Sequence, residues 1–513
     1  MSSRASHWKL FGPVIAAIAV IAVRLVLIPI LPEPLPAIHD EFSYLLAADT
    51  FAHGRITNPP HPMWVFFESF HILQQPTYMS IFPPFQGLTL AIGTLLTGHP
   101  WAGVLLGMAA FAASAFWMMQ IWLSPRWALI GALLIGIMFN GTNLWINSYY
   151  GGAVAATGGC LALGALVRLL EKEGSPTFMA IVFSIGLVIL ANSRPWEGLL
   201  TAIPLLGWLL AWVFKSKQQE LKRRISHVLV PAFVVLAISG AALAYYCWRI
   251  TGDAFLFPYV LNKQMYAISP VLIFEKPRPT PLYRHPAMQR LYLEWEPQFQ
   301  DSSNYGSLKE LPRLWLTRFV HYWDFFLPAA YSLLLLLFSG GQKHRWVLAS
   351  VLSVFLLGTF LQPYFEVRYA APVMGLVIMV PLVFLSELAR PNRVGDRSGF
   401  VIVATLLASI FVSFGARNLQ DHNILQEFAL DRQLLQQLLE KTPGEHLVIV
   451  RYSSQHDVLK EWVYNSADID QAKVVWAREM EVSRNEQLFK YFGNRQVWLL
   501  VPDESSQRLT RLR

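Results

Sequence analysis

Charge is scarce in this chain. Asp, Glu, Lys and Arg make up 14% of its 513 residues, hydrophobic types make up 54%, and the mean hydropathy is +0.39. Soluble domains carry about 25% charged residues, so this composition excludes that class and indicates a polytopic membrane protein. Cysteine is nearly missing: Cys160 and Cys247 both lie inside apolar stretches, which reads as packed thiols and excludes a disulfide framework. No Gly-rich phosphate loop, strong zinc spacing or internal repeat is evident. The net charge of +8 does not indicate a nucleic-acid partner, because Lys and Arg fall in short clusters between apolar runs. The first run, 11–31, lacks a small-residue cleavage pattern and is expected to be a retained helix, not a signal peptide.

Runs of about 20 apolar residues predict transmembrane helices. Eleven are expected, with cores at 11–31, 101–123, 127–146, 152–170, 177–192, 198–214, 227–249, 323–340, 345–362, 369–389 and 399–416. The segment 84–97 is apolar but short and is preceded by two prolines. Counting it as a span would put the dense basic stretch KSKQQELKRR, 215–224, opposite the other basic clusters; omitting it gathers them all on the side of the N-terminus. The expectation is therefore a plasma membrane protein, bacterial inner membrane in type. Its N-terminus is cytoplasmic, its C-terminus is outside, and 84–97 is a juxtamembrane or re-entrant helix. On this topology the loop 32–100, the breaks NSYYGG and NSRPWEG, the loop 251–320 and the turn QPYFEVR share the outer face. A transmembrane domain, 1–417, is followed by a small extracytoplasmic α/β domain, 418–513. There 447–452, 473–477 and 496–501 read as strands, with helices at 456–465 and 482–492, a βαβαβ pattern suited to a cap or acceptor-docking domain.

The stretch 38–87 holds polar side chains that a connecting loop has little reason to gather. Asp40 and Glu41 open a predicted helix closed by Gly54, and His61, Glu68, His71, Tyr78 and Gln86 follow among aromatics and prolines. An acidic pair at a helix start also caps free amides and complements the helix dipole, and that structural role is compatible with a functional one.

The order of these features resembles the GT-C superfamily of polyprenyl-phosphate-dependent glycosyltransferases, which includes protein O-mannosyltransferases (glycosyltransferase family 39) and lipid A aminoarabinose transferases. The resemblance is carried by HDEFSY at 39–44 after the first helix, FPPFQG at 82–87 before the next, the order of spans to about residue 215, and RYAAP at 368–372 opening a late helix. It implies that Asp40 is the base taking the proton from an acceptor hydroxyl, with Glu41 beside it. The oxygen then attacks a sugar carried on polyprenyl phosphate, with inversion. Arg194 and Arg368, with Tyr369, are expected to face the leaving phosphate; snorkelling for Arg368 and pairing with Glu197 for Arg194 are the structural alternatives.

One departure stands out. Many relatives carry a second acid where this chain has Asn147, Ser148, Tyr149 and Tyr150, so a two-carboxylate metal site like that of oligosaccharyltransferases is not expected. No cofactor is assigned; a divalent cation held by Asp40 with Glu41 or Glu68 is the residual option. His61, Glu68, His71, Tyr78 and Gln86 read as sugar or phosphate contacts or as loop hydrogen bonds. Two other functions stay open: a lipid-linked-sugar transporter or flippase, and a non-catalytic scaffold that binds the lipid. The expected partners are a polyprenyl-phosphate-linked sugar, the lipid bilayer and an acceptor the sequence does not identify.

Overall fold

The computed structural model describes residues 2–140, 143–300, 309–321, 334, 344–364, 366–388, 401, 426–504 and 508–513. Within these, five helices are long and apolar enough to cross a membrane: α4 (Trp101–Met119), α6 (Ala153–Leu170), α8 (Pro195–Phe214), α9 (Gln218–Thr251) and a segment Arg368–Glu387, whose regular helix is α12 (Ala371–Leu388). Four expected spans form shorter apolar helices. They lie in α1 (Ser2–Val26), α5 (Pro125–Asn140), α7 (Pro176–Ala191) and α11 (Arg345–Thr359). Nearly all of the expected spans 323–340 and 399–416, and the boundary at 417/418, lie outside the described residues. Eleven full-length spans are therefore not what the described helices amount to. Pro125 and Pro176 fix the starts of α5 and α7, and α7 is closed at Asn192.

Small residues set how closely these helices pack. Gly158 on α6 and Gly186 on α7 face each other so tightly that a Cβ on Gly158 would lie 2.9 Å from the Gly186 carbonyl. Gly159, next on α6, takes the backbone of Pro372 against it, which seats the start of α12 on α6. In lipid, where apolar side chains gain little by leaving their solvent, such close backbone contact is what holds helices together. The contact also fixes Arg368 and Tyr369, immediately before α12, beside the outer loop.

That loop folds as α2 (His39–Ala52), a two-stranded hairpin β1 (Ile72–Leu73) and β2 (Met79–Ser80), and α3 (Pro84–Thr97), which packs on α2 and α4. Gly54, at φ +69°, closes α2 where a left-handed residue was expected. Arg24 ties the end of α1 to the next loop: its guanidinium is buried, donates to the carbonyls of Leu31 and Pro32 and to Asn147 Oδ1, and lies 4.7 Å over the Trp101 ring.

The C-terminal unit is a four-stranded sheet in the order β4-β3-β5-β6, formed by Val474–Arg478, His446–Val450, Gln496–Leu500 and Leu509–Arg511. β4, β3 and β5 are parallel; β6 is antiparallel on the edge. The run HLVIV is buried throughout because both faces of the sheet are covered, as a central parallel strand requires. One face packs on Phe42, Leu46, Phe66 and Phe67 of the outer loop, the other on Phe428, Leu439 and Trp462. The helix α14 (Val482–Tyr491) is where the sequence predicts one. The helix expected at 456–465 is not formed. Instead α13, over 426–441, precedes the sheet. In 456–465 the Glu461 carboxylate takes the Val463 amide at 2.8 Å and pairs with Arg478 at 2.5 Å, and these local bonds displace the helical ladder.

Candidate active site

α2 begins without a side-chain cap on Ile38. Glu41, at the third helical position, reaches back instead, and its Oε2 accepts from the amides of Ala37 at 2.8 Å and Ile38 at 3.2 Å. Its Oε1 accepts from the Tyr149 amide at 3.1 Å. Burial pushes the Glu41 carboxyl up to about 7 against the pull of these three amides. Because Glu41 satisfies the helix start, Asp40 is released from capping and turns toward other partners.

Those partners are cationic or can become so. Asp40 Oδ1 lies 2.6 Å from His71 Nδ1 and Oδ2 lies 2.9 Å from Arg368 Nη2. Burial alone would raise the Asp40 carboxyl; the Arg368 guanidinium, then the hydrogen bond and charge of His71, hold it well below the usual carboxylate range. His71 sits at φ 59° in the left-handed region. Its carbonyl is fixed there by Ser43 Oγ at 2.6 Å and the Ile81 amide at 3.3 Å. Ser43 and Ser80 share a further hydrogen bond, 2.7 Å long. His39 fills the space behind, its ring 4.7 Å from Phe70 and 5.5 Å from His71. Burial, and next the charge of His71, push it down to about 3, so it is neutral.

Arg368 is held on several sides. It pairs with Asp40 and with Glu366, and its guanidinium lies 4.1 Å over the Tyr150 ring and 5.7 Å from the Tyr369 ring. Tyr150 is posted there by its neighbour: Tyr149 gives its carbonyl to Gln86 Nε2 at 2.7 Å and its hydroxyl to the Pro34 carbonyl at 2.9 Å. Arg194 lies over the opposite side of the cluster, 4.7 Å from the Tyr369 ring, with no carboxylate partner among the described residues. The alternative weighed for Arg194, an ion pair with Glu197, is not formed; Glu197 accepts from Gln362 Nε2 at 3.2 Å.

Asp40, Glu41, His71, Arg194, Arg368 and Tyr369 thus meet in one place. The other expected contacts turn elsewhere. His61 Nδ1 accepts the Met63 amide, so its Nε2 carries the proton given to Asp470, 3.0 Å away on the C-terminal unit. Glu68 takes the Tyr266 hydroxyl at 2.8 Å and Arg284 at 3.2 Å, and burial raises its carboxyl. Tyr78 donates to the Asn465 carbonyl at 3.0 Å. Gln86 serves the Tyr149 loop. For these four the loop-hydrogen-bond alternative describes the observed contacts: they join the outer loop to the segments packed on it. The carboxylates of Asp40, Glu41 and Glu68 each face different partners, and the described residues contain no group of three metal-ligating side chains. Sequence reasoning missed Ser43, His39, Tyr150 and Glu366. All four fall inside motifs it had singled out, HDEFSY, NSYYGG and QPYFEVR.

A cavity of about 540 Å3 opens between α2 and the C-terminal sheet, lined by Phe42, Asp49, Arg432, Gln436, Tyr464 and Lys473 among others. Asp40, His71 and Arg368 lie outside its lining.

No protein-family model matches this sequence, and no curated protein does. Solved structures do. ArnT from Cupriavidus metallidurans bound to undecaprenyl phosphate aligns over 96% of this chain and 94% of its own, with a TM-score of 0.52 and 14% identity. Its apo state aligns over 98% and 94%, at 0.50 and 13%. The oligosaccharyltransferase of Archaeoglobus fulgidus tethered with an acceptor peptide matches 97% of this chain and 69% of its own, at 0.48 and 12%. Over almost its whole length the fold resembles that of ArnT.

Proposed function

We propose that this chain is a GT-C-type membrane glycosyltransferase that moves a sugar from a polyprenyl phosphate to an acceptor outside the cytoplasm, with inversion at the anomeric carbon. The observation that carries the reading is the Asp40–His71–Arg368 cluster beside Arg194, built on a fold similar to that of a protein solved with undecaprenyl phosphate. The Asp40–His71 pair supplies the base for the acceptor hydroxyl. Arg194, with no carboxylate partner among the described residues, offers its guanidinium to the departing phosphate, and charge-assisted contacts of this kind stabilise such a leaving group. Tyr369, under Arg194, orients it. Glu41 and Gln86 act one step back, holding α2 and the Tyr149 loop in place.

On this reading the protein is inserted in the plasma membrane with about eleven spans. Its N-terminus is cytoplasmic and its C-terminal unit extracytoplasmic. That unit docks on the outer loop through Asp470 on His61, Asn465 on Tyr78 and Ala467 on Asp49 of α2, a placement suited to a cap or acceptor-docking role.

The test is release of free polyprenyl phosphate by purified protein from a panel of polyprenyl-phosphate sugars, comparing wild type with Asp40→Asn. Release that requires Asp40 supports the reading. Binding of undecaprenyl phosphate without release from any donor, across a panel of lipid, peptide and glycan acceptors, would turn the weight to a non-catalytic scaffold. Neither binding nor release would sink the reading and favour transport.

A further inference from the structure

We infer that the atom that takes the acceptor's proton is Nε2 of His71, with Asp40 behind it as a positioning residue. The inference rests on the glycosyltransferase reading and assigns the base within it. Both Asp40 oxygens are already committed, one to His71 and one to Arg368. A hydroxyl approaching Asp40 would have to compete with these two bonds, and a carboxylate so stabilised has little affinity for a proton. With Nδ1–H given to Asp40, Nε2 carries the lone pair, and it has no hydrogen-bond partner among the described residues. The His71 side chain is 29% exposed and the Asp40 side chain 15%, so the ring is the outer member of the pair and the carboxylate the inner one. This is the order of a catalytic dyad in which a buried acid fixes tautomer and orientation while the imidazole does the proton transfer.

The backbone supports the same assignment. A histidine at φ 59° occupies a region that a side chain with a Cβ enters only where its surroundings hold it, and such residues gather at functional sites. Ser43 and Ile81 clamp the His71 carbonyl, and the Phe82 ring stands edge-on at 5.8 Å. The groups facing the ring or its backbone are Asp40 and His39 from α2 and Tyr292 from the helical segment 286–300, with Arg368 acting through Asp40.

In the step itself the acceptor O–H bond breaks as its proton passes to Nε2, and the oxygen bonds to the anomeric carbon. The bond from that carbon to the phosphate oxygen breaks with its electron pair, releasing polyprenyl phosphate toward Arg194. His71 then returns the proton to water.

His71→Asn is the informative variant, because Asn tolerates the left-handed region and its amide can still donate to Asp40. The measurement is turnover on the donor panel across pH 5–9, together with affinity for undecaprenyl phosphate alone. We expect affinity within about twofold of wild type and turnover lower by a factor on the order of 10²–10⁴. The acid limb of the wild-type pH profile should vanish, and added imidazole should restore part of the rate. Turnover within about fivefold of wild type, or a variant that keeps the acid limb, would overturn the assignment and return the base role to Asp40. A wild type that releases no polyprenyl phosphate would remove the glycosyltransferase reading itself, a separate and recognisable failure.

Discussion

Replacing Arg368 by Met should expose how much of the site is held by one guanidinium. The change removes the 2.9 Å contact to Asp40, the pair with Glu366 and the cover over Tyr150, while keeping most of the side-chain volume. Breaking a buried pair from one side costs about 3–5 kcal/mol because the remaining charge is left without a partner. Here His71 stays on Asp40, and the two side chains are 12% and 15% exposed, so the lower end applies, about 3 kcal/mol. In Asp40→Asn/Arg368→Met neither charge is stranded on the other's account, and a double-mutant cycle should return a coupling of about 2 kcal/mol. The assay is equilibrium unfolding in mixed SDS micelles at several pH values. Asp40 has a depressed pKa in the folded chain, so its contribution is present above the ordinary value of about 3.9 and is lost as pH falls from there. The gap between wild type and Arg368→Met should therefore be constant from pH 8 to 5 and narrow below about 4. A variant within about 0.5 kcal/mol of wild type at pH 7, the range of an ordinary surface change, would refute the ion pair as the organiser of this cluster.

Three further outcomes are expected. Glu41 has its carboxyl raised from 4.5 to about 7, which makes its contribution fall as pH rises between those values. Glu41→Gln should accordingly look better relative to wild type at pH 8 than at pH 4.5 by about 3 kcal/mol in the same unfolding assay, and a difference that does not change with pH would count against it. Tyr150→Leu removes the ring 4.1 Å from Arg368 and should cost about 1–2 kcal/mol along with activity, whereas Tyr150→Phe should keep both; equal behaviour of the two variants would show that the ring face does not matter. Asp49→Ala leaves the Ala467 amide without its 2.7 Å acceptor, so hydrogen exchange around 464–470 should accelerate several-fold while the hairpin at 72–80 is unchanged; identical protection would separate this contact from docking of the C-terminal unit.

What could be read from the sequence follows from the range of each signal. Long apolar runs report burial in lipid, and the described helices fall on the predicted cores even where they prove shorter. The strands HLVIV, VVWAR and QVWLL were legible because a parallel strand covered on both faces is apolar without alternation. Asp40, Arg194 and Arg368 were found through motif order, 328 residues separating the members of the ion pair. The hairpin at 72–80 was not found, since two-residue strands carry no periodicity, and the left-handed turn at His71 has no glycine to mark it. Nor could spacing separate His71 from His61: both sit in the same loop, and only the fold turns one to Asp40 and the other to Asp470. The helix predicted at 456–465 failed for a related reason, because Arg478, distant in sequence, draws Glu461 inward.

The charges in the cluster bear on the proposed histidine base. Asp40 and Glu366 carry two negative charges and Arg368 and Arg194 two positive ones, so the four are neutral before the donor binds. A sugar on polyprenyl phosphate, the proposed donor, is a phosphodiester and adds one negative charge, which Arg194, lacking a carboxylate partner among the described residues, is placed to meet. Transfer converts the diester to a monoester, and a second negative charge grows on the phosphate as the glycosidic bond breaks. Were Asp40 to take the acceptor proton, it would lose the charge that anchors Arg368, loosening that anchor at the moment of transfer. With the proton on His71, Asp40 keeps both partners and the new imidazolium is a positive charge in the same cluster as the departing phosphate. Donors fixed where charge develops lower a barrier most when they need not reorganise. An Asp40 clamped from two sides and an imidazole free at Nε2 meet that condition.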